Sequence, residues 1–366
     1  MDGRREQVRD YLSDLYGKPV DVIRIAELGA EPGEAELKGF GYGKPYVIDF
    51  ILEGQAQSVI LSSMRVQKGF GHDTFADRAA QMLWSNMAFN VLPRHVRSID
   101  AGYFTEYGGL KSAGDAAEFF IVMDRISGIE YYRDLDRIAE SGFFTDLDKD
   151  RAMALSDYLV YIHAQKHDDR VLWDRRIREL VGSGECIMGM DDSYPDGFAF
   201  YSKKDFERME RECVRWRWKL KPCFARLCVV HGDFHPWNVM FRNGVDFTVL
   251  DRSRGEYGEA ADDVSCMSLN YLFYSLRKYG RLEKEFKVLW DTFMENYLVK
   301  SGDFEMLQYL QPFYAFRALV VASPVWYPTL DDRVRVKLFN FIDNVLAAEE
   351  FDYKDVNRYL KKPEGR

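Results

Sequence analysis

Long apolar runs are missing from this 366-residue chain. None approaches the roughly 18 residues that a membrane-crossing helix needs, so no membrane partner is expected. Basic excess is missing too. The formal net charge is −9, which argues against a general nucleic-acid binder and permits a cationic substrate without requiring one. Cysteine is scarce and odd in number. Cys186, Cys213, Cys223, Cys228 and Cys266 form no Cys-x-x-Cys pair and no Cys/His zinc spacing, so reduced and mostly buried thiols are expected. No fixed-period repeat or low-complexity segment is present. The opening MDGRREQVRDYLSDLYG is charged and lacks the apolar centre of a secretory signal, which sets the expectation of a cytoplasmic protein. The length suits two domains, or one domain in two lobes.

What is present divides into two parts. Glu6 to Leu15 reads as a short helix. VIRIAEL (Val22–Leu28), YVIDFIL (Tyr46–Leu52) and SVILSSM (Ser58–Met64) are β-branched and aromatic runs, the composition of strands, with EGQAQ as a turn between the last two. DTFADRAAQMLWSNMAF reads as a helix capped by Asp73, with Phe75, Ala79, Met82 and Leu83 on one face. EFFIVMD (Glu118–Asp124) reads as a further buried strand. Beyond it, apart from one hairpin, the pattern is of long amphipathic helices: Arg151–Gln165, Asp263–Gly280, Leu282–Leu298 and Val334–Glu350. The boundary falls in MDRISG, where a strand ends and Gly128 permits a bend. The segment Val181–Phe200, rich in Gly and Asp, reads as a long loop, a lid or substrate-side element. The expected organisation is α+β: residues 1–123 a small antiparallel-sheet lobe, 124–128 a hinge, and 129–366 a larger, mainly helical lobe. A nucleotide cleft between two such lobes is a common site geometry.

The chemistry concentrates in VVHGDFHPWNVMF, Val229 to Phe241. Gly232 and Pro236 mark a loop. VMF and FTVL (Phe247–Leu250) read as strands joined by Asn243-Gly244, a strong hairpin signal. Asn238 enters that hairpin and Asp251 leaves it, so the two arrive at one end, with Asp233 just upstream. Phosphoryl transfer needs such a set. Oxygen ligands such as Asn238 and Asp251 suit Mg2+. A nearby carboxylate, Asp233, can orient a hydroxyl and accept its proton. Protein kinases space their catalytic Asp and metal-binding Asn five apart, with a second metal-binding Asp beyond a hairpin. Asp233, Asn238 and Asp251 repeat that order. Two plainer readings stand beside it. Asp233 alone would read as a turn-capping residue. Alternation of His231, Asp233 and His235 could instead point three ligands at a metal, a metallohydrolase arrangement; Gly232 and Pro236 oppose it, being poor strand residues.

HGDFHPWN resembles the H-G-D-x-H-x-x-N catalytic loop of the aminoglycoside phosphotransferase and choline kinase-like superfamily. VLDRSRGEYGEAADDV resembles its second signature, an Ile/Val-Asp segment followed by G-D-P-x-x-D-[LV]. The resemblance spans about Val22 to Leu346. It implies a bilobal protein kinase-like fold that transfers the γ-phosphoryl of ATP, or in some members GTP, to a small-molecule hydroxyl. It implies Asp233 as catalytic base, Asn238 and Asp251 as Mg2+ ligands, His231 as a loop brace and Asp263 as a structural carboxylate on loop backbone. His235 reads as structural or substrate-facing. MDRISG, with Met123 and Asp124, matches the interlobe hinge beside the nucleotide, and LVYIHAQ matches a helix ending in Leu-His. Trp237 stands where small residues are common, either packing under the loop or facing substrate.

The nucleotide side departs from the pattern. Gly39, Gly41 and Gly43 precede a strand and could let backbone amides approach phosphates. They are neither a Walker A motif, since Pro45 follows Lys44, nor a dinucleotide fingerprint, since a strand follows. The strand lysine that kinases use falls near Ser62, leaving Arg65 as the nearest cation and Asp77 as the nearest helical acid; Arg does not substitute freely for Lys. This departure keeps a catalytically inactive, nucleotide-binding pseudokinase as the alternative. Arg252 and Arg254 follow Asp251. They can contact phosphate or an acidic substrate, or pair locally with Glu256, Glu259 and Asp262, the latter being the expectation.

Overall fold

The computed structural model describes residues 2–27, 43–66 and 68–363. They fall into two compact units, Met1–Asp124 and Arg125–Arg366. The observed class is the expected α+β, with small antiparallel sheets and a mainly helical second unit.

In the first unit a tight turn sets the sheet. Glu53 and Gly54 both have positive φ, 51° and 79°, and Leu52 faces Gln55 across them. This is the mirror-image turn whose twist suits an antiparallel hairpin. It joins β2 (Gly43–Leu52) to β3 (Gln55–Met64), and β1 (Val20–Glu27) pairs on the other side of β2. Period-two burial follows. Val20, Val22, Ile48 and Phe50 are buried with Val8 and Leu12, one turn apart on α1 (Asp2–Tyr16). A bulge between Val22 and Arg24 breaks the alternation, and Ile23 and Ile25 are exposed.

The helix expected after Asp73 is α2 (Phe75–Phe89), but its cap is Thr74. Thr74 Oγ1 accepts the Asp77 amide at 3.1 Å, and the Asp77 carboxylate accepts the Thr74 amide at 2.8 Å, a reciprocal capping box. Asp73 instead accepts the Gly69 amide. No residue of α2 is fully buried, so the expected apolar face is only partly covered. A short hairpin, β4 (Gly102–Phe104) and β5 (Leu110–Ser112), follows. EFFIVMD is not a strand. Phe119 to Met123 are all exposed, and among the described residues no neighbour gives them a ladder. An apolar run makes a strand only when another backbone satisfies its amides and carbonyls.

The second unit begins at a close approach. β6 (Ile129–Glu130) pairs with β8 (Val239–Phe241), and β8 with β9 (Phe247–Val249). A Cβ on Gly128 would sit 2.5 Å from Met240 Cγ and 2.7 Å from the Phe241 carbonyl oxygen. Gly128→Ala is therefore expected to destabilise this unit by about 1–3 kcal/mol, the usual scale of overpacking. A denaturant midpoint equal to that of the wild type would show that the backbone yields freely.

The helices are α3 (Tyr132–Ser141), α4 (Asp146–His163), α5 (Arg170–Gly182), α6 (Ile187–Asp192), α7 (Lys203–Leu220), α8 (Ala260–Tyr279), α9 (Lys284–Ser301), α10 (Gln311–Ala322) and α11 (Asp332–Ala347). Two strands, β7 (Cys228–Val229) and β10 (Tyr257–Gly258), pair antiparallel. The expected helices are present, but α8 is not amphipathic. Val264 to Leu276 are buried without interruption, as in a helix surrounded by others. Nor is Val181–Phe200 a long loop. α5 runs into it, and α6 puts Ile187 and Met190 into the core. Cys213, Cys228 and Cys266 are buried free thiols, and Cys186 and Cys223 are half-buried. Among the described residues no helix is long and apolar enough to cross a membrane.

Candidate active site

β7 delivers the chain to a loop that two elements fasten. His231 and Gly232 each donate a backbone amide to Asp263, at 2.7 Å to separate carboxylate oxygens. Asp263 is wholly buried in the first turns of α8. Its third contact is His163 Nε2 at 3.1 Å. A carboxylate only accepts, so the His163 proton is on Nε2, and Nδ1 accepts from the Tyr297 hydroxyl at 2.9 Å. Burial works to raise the Asp263 pKa, but His163 and His231 pull it below the ordinary value. Phe234 anchors the middle of the loop, fully buried and stacked 5.8 Å from Tyr158. Gly232 has φ 87°, and a Cβ there would lie 3.1 Å from Arg254 Cβ.

The loop closes in one 3-10 turn, Pro236–Asn238, capped by His235 Nδ1 accepting the Trp237 amide at 3.2 Å. That bond puts the His235 proton on Nε2, which faces Asp233 Oδ2 at 3.4 Å. His231 Nδ1 accepts the Asp233 amide at 3.3 Å. Burial lowers the pKa of His231, so the ring is neutral. The Leu250 carbonyl raises its basicity somewhat, though Nε2 closes no hydrogen bond of normal geometry. The two histidines are thus committed to loop backbone and to Asp233, and the three alternating side chains present no shared vertex. Among the described residues no group of three or more His, Cys, Asp or Glu is placed to hold a metal. This corrects the metallohydrolase reading.

Asp233 itself is held on both oxygens. Arg317 Nη1 donates to Oδ1 at 2.5 Å. Burial would raise its pKa; the His235 contact, Arg317 and Arg254 overcome this and hold it far below the carboxylate range. Arg317 also donates to the Gly232 carbonyl at 2.8 Å and to Asp262 at 2.6 Å. It lies in α10 and is only 6% exposed. Nothing in the loop sequence points to it. The available signal is a lone cation in PFYAFRALVVA, because an arginine inside an apolar helix must find partners.

Asn238 and Asp251 stand at the same end of the β8–β9 hairpin. Leu250 donates its amide to the Asn238 carbonyl at 2.8 Å, one step beyond the ladder, and Asp251 follows. Asn238 Nδ2 donates to the Asp233 carbonyl at 3.1 Å, while Oδ1 accepts no hydrogen bond among the described residues. Asp251 is exposed with φ 54°, a left-handed conformation that Asp tolerates better than most residues. Its carboxylate has no hydrogen bond or ion pair among the described residues. The hairpin end therefore offers an amide oxygen and a carboxylate, both unspent, the donor type that a hard cation takes.

The other predicted residues are placed as follows. Arg252 spends its guanidinium on the Val230 and Glu256 carbonyls, at 3.0 and 2.8 Å. The expected carboxylate pairing of Arg252 and Arg254 does not form: Glu259 bonds Arg226 and Asp262 bonds Arg317. Arg254 is half-buried over the Phe316 ring, 5.0 Å from its centroid. Trp237 stacks on Tyr132 at 5.1 Å and 12°. In the first unit, Gly39 and Gly41 lie outside the described residues. Gly43 opens β2 opposite Met64. Arg65 is exposed just past β3, and Asp77 serves the cap of α2. Met123 and Asp124 are exposed and end that unit.

Residues 194–277 match the model of APH, the phosphotransferase enzyme family. The matched segment holds the loop, the hairpin and most of α8. No curated protein matches the chain. Among solved structures it is similar to the amicoumacin kinase hAmiN in complex with AMP-PNP, Ca2+ and Ami, at 16% identity, over 85% of this chain and 89% of that one, with a TM-score of 0.44. The choline kinase LicA from Streptococcus pneumoniae is 12% identical over 93% and 98% of the two chains, TM-score 0.36. A choline kinase from Cryptosporidium parvum Iowa II is 10% identical over 93% and 87%, TM-score 0.33.

Proposed function

We propose that the protein is a cytoplasmic, Mg2+-dependent kinase that moves the γ-phosphoryl of ATP, or of GTP, to a hydroxyl of a small molecule. The observation that carries this reading is the joint placement of Asp233, Asn238 and Asp251 by one loop and one hairpin, inside the segment that matches the phosphotransferase family. Arg317 fixes Asp233 Oδ1 at 2.5 Å, so Oδ2, which His235 faces only at 3.4 Å, is the atom that orients the acceptor hydroxyl and receives its proton. The lowered pKa makes Asp233 a weak base, suited to aiming the nucleophile and taking the proton late in a loose transition state. Asn238 Oδ1 and the Asp251 carboxylate would hold Mg2+, which would supply neutralisation of the phosphate charge. The fastened loop keeps these groups in register without further ordering, which is where most kinase catalysis originates.

The competing reading is a nucleotide-binding homologue without catalysis. It is favoured by Ser62, which faces Pro45 in the β2–β3 ladder where the resemblance calls for a lysine. ATP consumption over a library of hydroxyl metabolites separates the two. Turnover above the Asp233→Ala background is expected with at least one acceptor. Nucleotide binding with no such turnover sinks the enzyme reading. In the same assay Asp251→Asn is expected to need about tenfold more Mg2+ or beyond, since losing even an outer partner of a metal costs that much. An unchanged Mg2+ requirement would remove Asp251 from the metal site.

A further inference from the structure

Arg254 is left with donors that nothing among the described residues uses. Its one hydrogen bond among them runs from Nη1 to Cys186 Sγ at 3.5 Å, and sulfur is a weak acceptor. Two of the three acids beside it in sequence are taken. Glu259 holds Arg226 with contacts of 2.8 to 3.1 Å. Asp262 holds Arg317. Glu256 gives only its carbonyl, to Arg252. Three other half-buried or buried arginines of this unit differ, whereas Arg217 on α7 likewise has a buried Nε that bonds nothing among the described residues. Arg226 has three carboxylates, Arg317 has two, and Arg335 has three carbonyls and Asp332. The remaining guanidinium donors bond nothing among the described residues and stay open to water or to the acceptors of a ligand.

Its place gives that ligand a role. Arg254 packs on Gly232, the residue before Asp233, and its charge is felt at Asp233 and Asp262. Arg176 from α5 lies against the next residue, Gly255. Arg176 Nη1 is held by Glu179 at 2.7 Å, while its buried Nε has no partner. Arg317, bonded to Asp233 and also over the Phe316 ring, adds a third cation. A polycation brought to this corner would meet arginines. An oxyanion would meet a planar donor fork backed by the Phe316 ring, which fixes its orientation.

Resting on the kinase reading above, we infer that the acceptor carries an anionic group, a carboxylate or a phosphate, and that the Arg254 guanidinium takes it while Asp233 orients the hydroxyl. The transfer then places a new phosphoryl on a molecule that is already acidic.

The test uses matched acceptors with Mg-ATP: hydroxy acids against their carboxamides, and sugar phosphates against the parent sugars. Wild type is expected to prefer the charged member of a pair. In Arg254→Gln that preference, the ratio of kcat/KM values, should fall by about ten- to a hundredfold, the scale of a lost charge-assisted hydrogen bond. Arg254→Lys, which keeps the charge without the fork, should retain part of it. Which pair responds decides between carboxylate and phosphate. Wild-type preference for a neutral or cationic acceptor overturns the inference and leaves the kinase reading standing. So does an anionic preference that survives in Arg254→Gln, or an Arg254→Gln defect that appears only as a raised KM for ATP. No turnover with any pair, where the hydroxyl-metabolite library does support turnover, overturns the inference and leaves the kinase reading standing; no turnover with either overturns the kinase reading itself, and the inference falls with it. Thermal melts of the variants guard against misfolding: a folded Arg254→Lys with wild-type melting and no anionic preference also counts against it.

Discussion

Asp233→Ala is expected to lower phosphoryl transfer by about 10²–10⁴-fold, the contribution of a positioned general base. The loss should fall on kcat. Asp233 contacts no residue of the β8–β9 hairpin through its side chain, so the oxygens of Asn238 and Asp251 stay where they are. Only the backbone carbonyl of Asp233 meets Asn238, and alanine keeps it. The fold should survive, because Arg317 retains Asp262 and the Gly232 carbonyl after the substitution. Initial rates at saturating Mg-ATP, with the acceptor that wild type uses best, check the prediction. A rate within threefold of wild type would mean that the hydroxyl is oriented by another group.

Arg317→Met carries the largest expected stability effect. The guanidinium stands between two carboxylates, Asp233 and Asp262, with side-chain exposures of 18% and 21% against its own 6%. Removing it leaves two like charges facing each other with little water. Breaking a buried pair by deleting one partner costs about 3–5 kcal/mol. Burial already pushes the Asp262 pKa upward, so a proton taken up there relieves part of the strain. Because the groups are largely shielded from solvent, the loss should persist at high salt, unlike that of a surface pair. Equilibrium denaturation at low and high ionic strength measures it. A loss below about 1 kcal/mol, the scale of an exposed pair, would show that the triad is solvated.

The loop and the hairpin were legible because their determinants are local. Five residues separate Asp233 from Asn238, and Asn243-Gly244 forces the chain back so that Asp251 returns to the same end. The partner of that loop, Asp263, was legible only through resemblance, since no periodicity points from a helix start to two backbone amides. Arg317 was not legible. It lies 84 residues from Asp233, and a lone cation in an apolar helix signals a buried partner without saying which one. EFFIVMD misled because composition records hydrophobicity and says nothing about whether a neighbouring strand exists to bond with. The pairing expected for Arg252 and Arg254 failed for a related reason. Nearness in sequence does not decide ion pairing: Glu259 and Asp262 are bonded by Arg226 and Arg317 from elsewhere in the fold.

The chain Asp263–His163–Tyr297 ties the loop to three helices, α8, α4 and α9. Loops ordinarily sit at the low end of a protein's range of local stability. This one is fastened to a helix buried on all sides, so its amides open only when the helical core opens. Chemistry and recognition are thereby separated as targets of change. The guanidinium of Arg254 makes none of these bonds, so under the reading proposed above replacing it is expected to alter what is held without loosening what reacts. A lineage built on this frame can drift in acceptor while its loop stays put.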